Sequence, residues 1–437
     1  DTGPADTGPV DTGTTPVDTD TADTGPADTG PAHADTAAPV DTAVPDTGPV
    51  DADADGVLAD EDCDDADAST GAPTLCEPCT GALTDTVWFT DASGTSTDVS
   101  STVSGVVTWS DAGTLSFCPG TYTLEITVTA SDLELEGPGG EAVTTIEGLG
   151  DEIVSLDTSV TWFAATGLSF TGGGPAITGA LSGATVFLDR VYVHDNSHSD
   201  YNYAYGAGIR LSSADLEVVD SAFDANTVAA STSWPVPTSA GAAIYLEYGN
   251  LTLDNVSFSS NVASGYSVNG SLLYGGAIYV DTGDVSLVDT IVEGTTLSGY
   301  GVYGYGWFYG GAIYVVSGDL DLVDSAIYDT YVDGVIYSPR CYGAGIHVAS
   351  GDVSCSSSGG DHGTWANTTS SGSCAGGGAW WESSGYRFES SGCDWGTGAD
   401  DNDGSDLYAS GIASYASLGD DETFTCESGA CSGGTGM

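Results

Sequence analysis

The strongest constraint on this chain is a sentence that it writes again and again. Tyr274 to Thr295 reads YGGAIYVDTGDVSLVDTIVEGT, and Tyr309 to Thr330 reads YGGAIYVVSGDLDLVDSAIYDT. Looser copies begin at Tyr205 (YGAGIRLSSADLEVVDSAFDAN), Ala240 (AGAAIYLEYGNLTLDNVSFSSN), Tyr342 (YGAGIHVASGDVS) and Ala375 (AGGGAWWESSGYRF). The anchor residues Ile209, Ile244, Ile278, Ile313, Ile346 and Ala379 are spaced by 35, 34, 35, 33 and 33. A period of that length signals a solenoid, in which one unit cannot bury its apolar face alone and stacking supplies the core.

The period inside each unit decides which solenoid. Ile278 and Val280 alternate with Tyr279, Val285 and Leu287 form a second short run, and Val292 marks a third. Alternation with period 2 means strands. The runs are broken by Gly, Asp and Ser, the turn formers. Helical repeats of similar length would need Leu, Ala, Lys and Glu at helical spacing, where this stretch has Gly, Tyr, Val and Ser. The expected fold is all-β, a right-handed parallel β-helix with three short strands per turn, preceded by a disordered low-complexity stalk.

Gly275-Gly276-Ala277-Ile278 and Gly310-Gly311-Ala312-Ile313 resemble the GGA-I motif of polymorphic outer membrane protein repeats. Phe223-Asp224-Ala225-Asn226 and Phe258-Ser259-Ser260-Asn261 are similar to that family's FxxN motif; Thr295 and Thr330 replace the Asn in the later units. The wider likeness, over roughly residues 110 to 425, is to pectate-lyase-like β-helices. The resemblance implies surface display and adhesion. No β-barrel translocator pattern follows the repeats before Met437, so self-transport is not expected.

Charge narrows the partners. The chain has 64 acidic residues against four arginines and no lysine, a formal net charge of −60. Phosphate binding needs Lys and Arg, so nucleic acid and anionic membranes are not expected partners. Cations are. No apolar run reaches the ~18 residues of a membrane span. The chain starts at Asp1 rather than Met, as a mature or trimmed chain would, and such a tail also fits a lost N-terminal lipid anchor.

Ten cysteines in an acidic Ser/Thr/Gly-rich chain point to disulfides and an oxidising, extracellular or cell-surface location. Cys341 and Cys374 are one repeat apart and should stack on adjacent coils within disulfide reach. Cys63 with Cys76 and Cys426 with Cys431 are paired by proximity, whereas Cys76-Glu77-Pro78-Cys79 is a lone CxxC that also fits zinc.

Three segments follow. Residues 1–50 repeat Asp-Thr-Gly among Pro and Ala, without Leu, Ile, Phe, Tyr or Trp, so nothing offsets the entropy of ordering. They read as a spacer; six copies in a coreless tail are not an aspartic protease. Residues 51–82 form an Asp/Cys-rich neck. Asp51, Asp53, Asp55 and Gly56 fit the start of a calcium loop, with Asp60 and Asp62 further on. The neck resembles thrombospondin type 3 repeats and a metal-binding motif of bacterial surface proteins, which implies calcium; a solvated acidic hinge is the competing reading. Asp400, Asp401, Asp403 and Asp406 form a second, weaker candidate. Residues 83–437 are the β-helix with its caps.

Candidate binding residues come from columns. The outward residue of each GGAI strand gives Arg210, Tyr245, Tyr279, Tyr314, His347 and Trp380, a line at strand spacing of ~4.8 Å. Such a line could meet sugar rings, or its rings could stack on each other and lie under the loops. The Tyr/Gly/Ser-rich loops before each GGAI strand all fall on one edge, where recognition loops gather. Asp215, Asn250, Asp284, Asp319 and Asp352 make a polar column that caps turns or is bridged by cations. His194 and His198 flank Asp195 without a known catalytic spacing. The expected role is adhesin-like binding of a glycan or surface protein. The alternatives are a calcium-dependent structural matrix protein and a polysaccharide lyase or hydrolase.

Overall fold

The computed structural model describes residues 85–357, 369–370, 374–375, 378–381, 386–393, 407–409, 413–415, 422–427 and 430–433. The stalk, the acidic neck with Asp51, Asp53, Asp55, Asp60 and Asp62, and Cys63 and Cys76 lie outside the described residues. The described chain is a right-handed parallel β-solenoid without a helix. Each coil contributes a strand to each of three faces. One coil runs Ile278–Thr282, Val285–Val288 and Ile291–Glu293; the next runs Ile313–Ser317, Leu320–Val323 and Ala326–Tyr328.

The anchors lie directly over one another. Ile209, Ile244, Ile278, Ile313, Ile346 and Ala379 are successive register partners in parallel strands. All are buried, and each buried isoleucine contributes about 1.5–3 kcal/mol. The third face buries Phe170, Phe223 and Phe258; the last two stack with centroids 5.0 Å apart.

Where the third face ends, a buried asparagine ladder ties the coils together. Asn196 Nδ2 donates to Asn226 Oδ1 at 3.1 Å, and Asn226 Nδ2 donates to Asn261 Oδ1 at 3.2 Å. The same amides donate to the carbonyls of Phe170 and Val193 one coil back. Each amide therefore satisfies buried backbone that the turn would otherwise orphan. In the later coils Thr295 and Thr330 take the position, and their buried hydroxyls have no hydrogen-bond partner.

Glycine is required where coils approach closest. At Gly283 and Gly318, with φ of 149° and 146°, a Cβ would meet the preceding coil's carbonyl oxygen at 1.9 Å. Only glycine fits such a turn.

The segments expected as loops are strands. They leave the solenoid after the third face and form a separate 10-stranded parallel sheet, here called the blade. It includes Thr227–Ser231, Thr238–Ala240, Val262–Tyr266, Leu272–Tyr274, Thr296–Tyr309 and Tyr331–Tyr342. The blade has its own core of Val228, Ala263, Leu273, Leu297, Phe308 and Val332. Identical coil spacing lets each insertion pair with the next, which satisfies backbone groups that free loops would leave to water.

Both ends change direction. Val87–Asp91 lies antiparallel to Gly113–Phe117, and Arg387–Cys393 is antiparallel to Glu422–Glu427. Antiparallel closure covers open strand edges of a solenoid.

Candidate functional site

The aromatic column exists as a register. Arg210, Tyr245, Tyr279, Tyr314, His347 and Trp380 are successive Cα partners. Tyr245 and Tyr279 stack with centroids 4.9 Å apart and planes within 2°; Trp380 stacks on Tyr408 at 4.2 Å. A second column, Tyr274, Tyr309 and Tyr342, climbs the blade edge at 5.2 and 5.1 Å and packs against the first. Tyr314, His347 and Trp380 are only 8%, 4% and 9% exposed. Burial pushes the phenols of Tyr279 and Tyr314 upward, and pushes the His347 imidazole down to about 3. These groups stay neutral near pH 7.

Strand spacing governs what such a column can bind. At about 4.8 Å per coil, a ring stacked above and below has both faces occupied. Interior rungs offer edges. A face free of a further stacked ring exists where the stack stops.

The stack stops at Tyr205. Tyr245 lies on it at 4.6 Å and 13°, and Tyr203 is tilted by 35° at 6.1 Å. The preceding coil carries Thr178, Gly179 and Ala180 there and no blade ring. A cleft of about 430 Å³ results, lined by these residues with Tyr205, Arg210, Ser212, Tyr245 and Glu247. A second cleft of about 340 Å³ shares Tyr205 and Tyr245 and continues past Tyr274 and Tyr279 to Asp281. The Arg210 guanidinium sits over the Tyr205 ring, 5.9 Å from its centroid, and Arg210 is exposed. Burial raises the Tyr205 phenol to about 12. Together these residues supply a ring face, a planar cation, a carboxylate and hydroxyls in one groove, the mixture of apolar floor and convergent polar groups expected of a ligand site.

Of the residues read from sequence, Tyr245 and Tyr279 line this groove, with Tyr314 at its far end. His347 and Trp380 continue the ring column further along the coils. Tyr205, Glu247 and Ser212 were not singled out. A signal for Tyr205 was present: it opens the first repeat copy, and the GGGPAITGALSG coil before it has no aromatic residue.

The other constellations are structural. Each member of the Asp215 column accepts the backbone N–H of the equivalent residue one coil on. Asn250 N–H donates to Asp215 Oδ1 at 2.8 Å, Asp284 N–H to Asn250 Oδ1 at 3.0 Å, and Asp319 N–H to Asp284 Oδ1 at 3.0 Å. The capping alternative describes this column. Ser169 Oγ lies 3.0 Å from His194 Nε2, and His194 Nδ1 lies 2.9 Å from Asp195 Oδ2. That order matches a nucleophile, base and orienting acid. Ser169 is 2% exposed, so no substrate can reach its hydroxyl.

Cysteines tie neighbouring coils. Cys355 and Cys393 form a disulfide across 38 residues that spacing did not suggest, because the register partner of Cys355 is Ser390 and Cys393 lies three residues beyond it. Cys341 and Cys426 are disulfide-bonded, and their register partners are Cys374 and Cys431. Among the described residues no group of three or more His, Cys, Asp or Glu side chains could hold a metal ion. The described residues contain no helix long and apolar enough to cross a membrane, which says nothing of a β-barrel.

No family model matches this sequence, and neither the curated proteins nor the solved structures include a match. The likeness to polymorphic outer membrane repeats therefore rests on the motifs quoted above.

Proposed function

We propose that this chain is an extracellular or cell-surface, adhesin-like protein that binds a glycan in the groove built around Tyr205 and Tyr245. One observation carries the reading: the ring ladder ends at Tyr205 inside a 430 Å³ cleft that also holds Arg210, Glu247 and Ser212. A pyranose ring has an apolar C–H face and a rim of hydroxyls. The half-buried Tyr205 and Tyr245 rings that line the cleft suit the first, and Arg210, Glu247, Ser212 and Thr178 suit the second. The GGA-I motif supports surface display, and the disulfides support an oxidising compartment. Under the same reading the Asp51, Asp53, Asp55, Asp60 and Asp62 run takes calcium and stiffens the neck between stalk and solenoid.

The test is a glycan array probed with the full chain, followed by affinity measurements on the best ligand. Tyr205→Ala is expected to weaken binding about tenfold, or ~1.4 kcal/mol. Tyr331→Ser, on the blade outside the groove, should leave affinity unchanged. Binding that survives Tyr205→Ala with the fold intact would place the ligand elsewhere. Calcium-dependent self-association with no glycan bound would favour the matrix alternative, and turnover of a bound polysaccharide would favour an enzyme.

A further inference from the structure

The groove is not chemically neutral, and its one cation is unusual for this chain. Four arginines face 64 acidic residues. Arg190 is paired with Asp189 at 3.0 Å, and Arg387 with Glu389. Among the described residues Arg210 and Arg340 have no ion-pair partner, and of the two only Arg210 lines the cleft, which Glu247 lines too. Arg210 is held instead over the Tyr205 ring. In a protein so rich in carboxylates, an exposed arginine that lines a cleft without an ion-pair partner is free to meet an outside anion. Its planar fork of donors matches a carboxylate with two parallel hydrogen bonds.

Resting on the glycan reading above, we propose that the ligand carries a carboxylated sugar unit. Its carboxylate engages Arg210, which lies over the Tyr205 ring, while its sugar ring packs in the groove beside Tyr205 and Tyr245. The rest of the ligand is uncharged. Glu247 and Asp281 line the groove, and the chain as a whole carries a net charge of −60, so a polymer charged at every unit would be repelled. One carboxylate beside Arg210 meets a local attraction within that field. Glu247, on the strand stacked above Arg210, accepts hydrogen bonds from the sugar hydroxyls or from an amino group.

The experiment compares matched oligosaccharides on the full chain: one with a single terminal carboxylated sugar, its methyl ester, the neutral parent, and a polymer of the same acidic unit. The expected result is binding of the free acid at least tenfold tighter than the ester or the parent, and weak binding of the polymer. Arg210→Gln should erase the preference for the acid, whereas Arg210→Lys should retain part of it. Arg190→Gln, an exposed arginine outside the groove, should keep the preference. Equal binding of acid and ester would overturn this inference and leave the glycan reading standing. Binding of none of the sugars would overturn both. A preference for the acid that persists in Arg210→Gln would show that another group reads the charge.

Discussion

The coils from Gly113 to Gly179 and those from Ser197 to Ala375 share one solenoid but use it differently. The early coils turn directly from face to face, with Leu133, Leu135, Ile146 and Phe163 in a single core. The later coils extrude a strand pair each time, and the pairs stack into a blade with a second core. Only the bladed coils carry the tyrosine columns, because only there does a blade edge stand beside the GGAI face. The groove sits where one kind of coil meets the other. Repetition gives each side chain an identical neighbour, which favours stacking and leaves little surface unshared. A break in the repetition leaves a ring face, a cation and a carboxylate without such neighbours.

Four substitutions test this contrast. Phe308→Ala, in the blade core, is expected to cost about 3–5 kcal/mol of blade stability. Hydrogen exchange should rise in the blade strands and stay unchanged in the early coils. Equal loss across both regions would mean that the blade and the solenoid unfold as one unit. Next comes a paired glycine test. Gly283→Ala forces a Cβ onto a backbone oxygen and should cost about 3 kcal/mol. Gly183→Ala, at φ 73° with nothing within 4 Å of the new Cβ, should cost only about 1–2 kcal/mol. Thermal unfolding of both variants checks the ordering. The smallest effect is a gain. Thr295→Val replaces a buried hydroxyl that has no partner, and the denaturant midpoint should rise by an amount equivalent to about 1 kcal/mol. A fall would mean that the hydroxyl has a water partner.

Much of the fold was legible because a stacked solenoid converts sequence spacing directly into register. The spacings of Ile209, Ile244, Ile278, Ile313 and Ile346 are the observed pairings. The Asp215 column could be read as a line, yet not as a chain of side-chain oxygens accepting N–H groups. The spacing was clear, but which group each side chain meets depends on the turn. The blade was missed because its segments differ in length and are rich in Gly, Ser and Tyr, a composition that suits loops and edge strands alike. The Cys355–Cys393 disulfide was hidden because it joins residues out of register, Cys393 lying three residues beyond Ser390, the register partner of Cys355.

The binding site divides along the same line. The tyrosines, the groove's arginine Arg210 and their alignment are written in the repeat, since equivalent positions of parallel coils must fall in columns. Which rings lack a ring neighbour could be decided only by the packed molecule. Access depends on what the neighbouring coil places about 4.8 Å away, and at Tyr205 that neighbour is Thr178 and Gly179 rather than another ring.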